Sequence, residues 1–141
     1  MLRAILTCLA LSANLLAYSD MQALAKNQAK AFGKELYDKF CLYPMDVTVN
    51  LKNGVDLIDL RLYCYQELEE REAEELIKCS GLHFLQMINA DKELRPYLSH
   101  YPFKKVSLRL YCFREDLSEV ALGRVESAFF ANGDSVVKLA R

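Results

Sequence analysis

The sequence lacks the motifs of the common catalytic sites. It holds 2 histidines, and it has no glycine-rich phosphate loop, no G-x-S-x-G elbow and no H-E-x-x-H motif. Cys79 and His83 are spaced i,i+4 on a predicted helix, but zinc would need further ligands that only distant residues such as His100 can supply. We therefore expect no catalytic residues, no metal and no cofactor, and the sequence leans against an enzyme.

The chain also lacks an excess of either charge. Its 18 Lys and Arg residues against 19 Asp and Glu leave a net charge of −1, so no overall basic field attracts nucleic acid or an anionic membrane surface. A length of 141 residues with 52% hydrophobic composition suits one well-filled core. We expect a single folded domain that does not bind nucleic acid and meets a membrane only during export.

The N-terminal segment is typical of an export signal. Residues 1–3 form a short positive start, and the 14 residues of 4–17 follow without a charge. This apolar run fits the about 7 to 15 residues of a signal and is shorter than the about 20 that span a bilayer. Cleavage is compatible with the small residues at Ala17 or Ala25, and Ala23-Leu24-Ala25 fits the A-x-A form better.

We therefore expect residues 1–25 to be a signal peptide and residues 26–141 to form the domain. The protein would then be periplasmic or secreted, and the short, simple signal favours a bacterial source. The alternative is a cytosolic adaptor in which the first 17 residues form an ordinary packing helix.

Export changes what the cysteines indicate. Cys8 lies within the expected signal, and an even number remains, which allows disulfides in an oxidising compartment: Cys41, Cys64, Cys79 and Cys112. Buried free thiols are the alternative, because cysteine also packs as a small hydrophobic residue. Both states and the disulfide connectivity stay open at this point.

Residue periodicity predicts two helices. Apolar residues, among them Ala31, Phe32 and Phe40, recur at spacings near three to four over residues 21–40. A Glu-rich start and charge pairs at i,i+4 predict a second helix over residues 66–90, in which Gly81 marks a kink or an end.

Alternation of apolar and polar residues predicts five strands. Asn-Gly pairs at residues 53–54 and 132–133 supply the positive φ angles of tight hairpin turns. The strands are expected over residues 47–51, 55–65, 104–113, 120–131 and 135–140. The predicted fold is α+β, a two-layer sandwich in the order α-β-β-α-β-β-β, with a mixed five-stranded sheet and helices mainly on one face.

A short internal echo links two of these strands. Residues 60–65 read LRLYCY, and residues 108–113 read LRLYCF. A helix between two strands of one sheet usually makes them parallel, so we expect neighbouring strands with Cys64 beside Cys112. In each copy the leucines and the cysteine share one face, which we expect to be the core face.

The opposite face of the two echoed strands predicts a binding surface. It interleaves aromatic rings with cations, and such residues are enriched at protein interfaces. The predicted binding residues are Arg61, Tyr63, Tyr65, Arg109, Tyr111 and Phe113. The alternative is that the first helix or the loops cover this face.

The sequence thus predicts a small exported, non-enzymatic binding protein whose partner is a protein or a small ligand. The alternative function is a small thiol- or histidine-dependent enzyme that uses Cys79, His83 or His100. The connector over residues 94–103 holds two prolines and three aromatic rings, Tyr97, Tyr101 and Phe103, and we expect the rings to plug one end of the core. Neither the identity of the partner nor the oligomeric state follows from the sequence.

Overall fold

The computed structural model describes the backbone of residues 2–141 and the side chains of residues 17–141. Most side chains of the expected signal peptide lie outside this described part. The elements are α1 (Leu2–Phe40), β1 (Tyr43–Leu51), β2 (Val55–Cys64), α2 (Glu70–Ala90), a 3₁₀ turn (Arg95–Tyr97), β3 (Val106–Cys112), β4 (Val125–Ala131) and β5 (Asp134–Leu139). The predicted α+β fold and its element order are confirmed. Within the described residues, no helix combines the length and apolar character that a membrane crossing requires.

The five strands form one sheet in the order β1-β2-β3-β4-β5. Strands β2 and β3 are parallel, and every other neighbouring pair is antiparallel. The two echoed segments lie side by side in register, with Leu60 opposite Leu108 and Cys64 opposite Cys112. The predicted parallel pairing and the mixed sheet are both confirmed.

Both predicted hairpin turns form at their Asn-Gly pairs. The φ angles are 53° and 106° at Asn53 and Gly54, and 54° and 84° at Asn132 and Gly133. These positive values are what a tight turn between twisted antiparallel strands requires. Strand β4 begins at Val125 rather than at residue 120, because the chain makes a turn at Gly123 (φ 79°) just before it.

Both helices pack on one face of the sheet. Leu60, Leu108 and Phe130 are paired across β2, β3 and β4 and are fully buried. A Cβ placed on Gly33 of α1 would lie 3.9 Å from Leu60 Cδ1, and one on Gly81 of α2 would lie 2.2 Å from the Phe130 ring. Since the two glycines approach the same row of side chains, α1 and α2 cover the same face. Helix α2 runs through Gly81 without ending there, contrary to one expectation.

The buried stripe of α1 differs in part from the predicted one. Ala31 and Phe40 were expected on its apolar face, but both are exposed, Phe40 by 47%. Phe32 is buried as predicted, and the stripe that packs on the sheet follows the helical period through Met21, Ala25, Ala29, Phe32 and Leu36. At its centre the rings of Phe32 and Phe84 stack with centroids 4.5 Å apart, which joins α1 to α2.

Candidate functional site

The six predicted binding residues lie together on the sheet face opposite the helices. In β3, Leu108 and Leu110 are buried while Arg109 and Tyr111 between them are half-buried, because successive side chains of a strand point to opposite faces. The parallel register then sets Arg61 beside Arg109 and Tyr63 beside Tyr111. We call this surface the open face: Arg61, Tyr63, Tyr65, Arg109, Tyr111, Phe113, and the cross-strand neighbours Tyr43, Asp59 and Phe129.

The aromatic rings of the open face form a continuous row across four strands. Neighbouring ring centroids are 5.1 to 6.3 Å apart, and most pairs meet edge to face. The aromatic row consists, in order, of Tyr37, Tyr43, Tyr65, Phe113, Tyr63, Tyr111 and Phe129. Such contacts stabilise each pair by about 0.5 to 1.5 kcal/mol beyond the area that they bury. The rings are therefore held in place by one another.

Three members of the aromatic row were not among the predicted residues. Tyr43 faces Tyr63 in the β1–β2 pairing, Phe129 faces Arg109 in the β3–β4 pairing, and Tyr37 reaches Tyr43 from the end of α1. Phe129 had a local signal, since two adjacent phenylalanines in a strand must point to opposite faces. One end of the row is well exposed: Tyr37 is 45% exposed and its neighbour Tyr43 is 39% exposed.

A charged pair lies at the centre of the open face. Arg109 donates from Nε to Oδ1 of Asp59 at 3.1 Å and from Nη2 to the other carboxylate oxygen. The hydrogen bond to Asp59 is the main cause that raises the pKa of Arg109. Asp59 is 5% exposed, so loss of Arg109 would leave a buried carboxylate without its hydrogen-bonding partner. The pair fixes the guanidinium next to Tyr111 and cancels most of its charge.

Arg61 differs from Arg109 because part of its guanidinium is unsatisfied. Its Nε is buried and has no hydrogen-bond partner among the described residues. Asp46 stands opposite Arg61 in the β1–β2 pairing, yet no ion pair joins them in the described part of the chain. A buried donor without an acceptor costs about 1 to 3 kcal/mol. This buried donor therefore lowers the stability of the folded chain and is not a contact that a partner can reach.

The cysteines of the described chain are all free thiols. Cys41 and Cys79 are exposed, and Cys64 and Cys112 are buried on the core face. A hydrogen bond between the two buried thiols lowers the pKa of Cys64 to about 7. The same bond, with burial, raises the pKa of Cys112. The expected proximity of the echoed cysteines is confirmed, and in this structure the disulfide alternative does not apply to them.

The residues of the alternative enzyme are only partly brought together. Cys79 and His83 line a groove of about 550 Å³ between α1 and α2. His83 Nε2 lies 3.2 Å from Oε1 of Glu35, and that carboxyl also accepts from Lys39 Nζ at 2.6 Å, which lowers the pKa of Glu35. Within the described residues, no hydrogen bond joins Cys79 to His83, and none of the described His, Cys, Asp and Glu residues form a metal-binding group.

His100 belongs to the connector before β3 rather than to this groove. Its Nε2 accepts from the backbone amide of Lys104 at 3.2 Å, and its ring stacks on Phe103. Phe103 is 1% exposed, and its backbone N–H and C=O are both bonded by the Asn89 side chain. Tyr101 is exposed beneath Arg95. Of the three rings expected to plug the core, Phe103 is buried in it, Tyr97 packs partly against it, and Tyr101 does not enter it.

Comparison with known proteins adds no further information on the site. The open face and the helix groove are therefore interpreted from the chemistry of their own residues. No protein family, no curated protein and no solved structure matches this chain.

Proposed function

We propose that this chain is a non-enzymatic binding protein of the cell envelope or secreted space, and that its open face docks a protein partner. The observation that carries the proposal is the aromatic row, which crosses four strands on the face that neither helix covers. Tyrosine, phenylalanine and arginine are enriched at protein interfaces, and the aromatic side chains bury a large area with only two side-chain torsions.

The rings of the open face are ordered before any partner arrives. Tyr63 contacts both Tyr111 and Phe113, with centroids 6.1 and 5.4 Å away. Ordering free side chains on association costs about 0.5 to 1.5 kcal/mol each, so rings that already restrain one another reduce that cost. Arg61 lies beside Arg109 on the same face, and arginine is one of the residue types that contribute most binding energy at protein interfaces.

The geometry favours a protein over a nucleic acid as the partner. Bases stack on open ring faces, but several rings of the aromatic row meet at interplanar angles of 61° to 89°, so the edge of one ring covers the face of the next. The charge of Arg109 is cancelled by Asp59, and the whole chain carries a net charge of −1. Phosphate binding depends on several uncompensated cations, and of the two arginines of the open face only Arg61 has no ion-pair partner within the described residues.

Export rests on the N-terminal pattern. A short positive start and an uncharged apolar run over residues 4–17 are the features that direct a chain across a membrane. Export would place the open face in the periplasm or outside the cell, where envelope proteins and secreted proteins are the available partners.

Site-specific crosslinking tests the open face. The full chain is expressed in its native host with a photoreactive phenylalanine analogue at Tyr63, or at exposed Glu74 of α2 as the matched control. We expect a discrete light-dependent protein adduct at Tyr63, none at Glu74, and a weaker adduct when Tyr43 at the rim is replaced by Ser. Equal adducts at both positions, or none at Tyr63, would contradict docking through this face.

A second candidate function is a thiol-dependent enzyme, which one observation favours: Cys79 and His83 share a groove with the carboxylate of Glu35. Catalytic thiols are more reactive than ordinary ones because a neighbouring base or cation favours the thiolate. Cys41 is also exposed and serves as an internal reference. An alkylation rate of Cys79 in the native protein that exceeds the rate of Cys41 by about tenfold or more would favour the thiol-dependent enzyme. Similar rates for the two thiols would favour the non-enzymatic binding protein.

A further inference from the structure

Helix α1 carries a helix-start signal inside its own length. Ser19 and Gln22 have the S-x-x-Q spacing of a capping box, in which each side chain bonds a free backbone N–H of the first turn. Asp20 adds a negative charge that a helix N-terminus favours. Yet α1 runs through these residues without interruption, from Leu2 to Phe40. A capping box inside a continuous helix has no free N–H groups to bond, so this pattern suits a chain that begins just before Ser19.

The packed face of α1 begins directly after this signal. Tyr18, Ser19 and Asp20 are exposed, whereas Met21 is 9% exposed and Ala25 is fully buried. A chain that starts at Tyr18 keeps Met21 and Ala25 in the core and leaves its charged amino group in water. A chain that starts after Ala25 loses both residues and the helical turn that supports Ala29. It also places a charged amino group at the edge of the core, which is unfavourable.

We propose that export is completed by hydrolysis of the Ala17–Tyr18 peptide bond, so that the mature chain spans residues 18–141. A signal peptidase would add one water molecule across this bond, leaving a carboxylate on Ala17 and an amino group on Tyr18. The inference rests on the proposed export. The better A-x-A match at Ala23-Leu24-Ala25 then has a structural role, because the small Ala25 side chain faces the buried core.

Intact-mass measurement of the exported product tests the proposal. The full chain with its own leader is expressed in a bacterium, and the protein of the envelope fraction is purified and weighed. We expect the mass of residues 18–141. The mass of residues 26–141 would overturn this cleavage site while leaving export intact. The uncleaved chain in the cytoplasm would instead overturn export itself, so the two failures are distinguishable.

Two variants separate the candidate sites. Ala17→Lys removes the small residue that a signal peptidase requires at the proposed site, and we expect this chain to keep its leader. Ala23→Lys disrupts the A-x-A match at the other site, at an exposed position of α1 that tolerates lysine, and serves as the matched control. We expect Ala23→Lys to be processed like the unmodified chain. If Ala23→Lys keeps the leader and Ala17→Lys loses it, the proposal is wrong.

Discussion

Gly81 gives the sharpest quantitative test of the packing between α2 and the sheet. An added Cβ at this position would lie 2.2 Å from both Cγ and Cδ1 of Phe130 and 2.6 Å from Cδ2. Ordinary contacts of a Cβ begin at 3.4 Å, so the ring or the helix has to move by more than an ångström. Phe130 is fully buried beside Leu108, and the ring has no open space to enter.

Two opposing effects decide the sign for Gly81→Ala. Alanine is the better helix former by about 1 kcal/mol in a helix interior. Overpacking a filled core costs about 1 to 3 kcal/mol, and a displacement of this size belongs at the upper end of that range. We therefore expect a net loss of about 2 kcal/mol in the free energy of unfolding, or about 8 °C in the unfolding midpoint for a domain of this size.

Urea unfolding followed by circular dichroism measures this loss, and a double-mutant cycle identifies its cause. Phe130→Leu makes the opposing side chain smaller, so Gly81→Ala should cost at least about 1 kcal/mol less in that background than in the unmodified chain. If Gly81→Ala leaves the chain as stable as before, or stabilises it, helix propensity outweighs the contact and the reasoning is refuted.

Three further predictions concern the open face, the buried thiols and the connector. Asp59→Asn removes the charge that binds Arg109 and should lower the free energy of unfolding by about 2 kcal/mol in urea, whereas Asp46→Asn at the exposed edge should change it little. Because the pKa of Cys64 lies at about 7, below its ordinary 9.0, the folded chain binds fewer protons than the unfolded chain between these values. Its contribution to stability is therefore complete above about pH 9 and is lost as the pH falls through about 7; Cys112→Ala should flatten this dependence, and an unchanged slope would contradict the thiol hydrogen bond. Asn89→Ala removes both side-chain bonds to the Phe103 backbone and should lower stability by about 1 to 3 kcal/mol, a loss that calorimetry would detect.

The parts of the fold that local chemistry determines were predictable from the sequence. Asn53-Gly54 and Asn132-Gly133 specify hairpins because few other residue pairs adopt the required positive φ angles. The echoed segments predicted the parallel β2–β3 pair, and strand alternation alone placed six residues on one face. That face carries the whole of the predicted site.

The remaining parts depend on tertiary packing, which the sequence does not show. The first strand was expected to begin at residue 47, yet β1 begins at Tyr43 and includes Pro44, which is tolerated because β1 is an edge strand. The ends of the aromatic row depend on that earlier start, since Tyr43 joins Tyr37 to the sheet. In β4, Phe129 and Phe130 are equally apolar, so only the assembled sheet shows which ring enters the core.

The parallel pairing of β2 with β3 determines at which stage of folding the open face forms. Its central residues come from two strands that are separated in the chain by the whole of α2 and the connector. Contacts between such distant segments form late, because a long loop must close before they contribute stability. Under the proposed export and docking, a chain that is still crossing the membrane would therefore present no assembled open face, and partner binding would have to wait until the domain has folded.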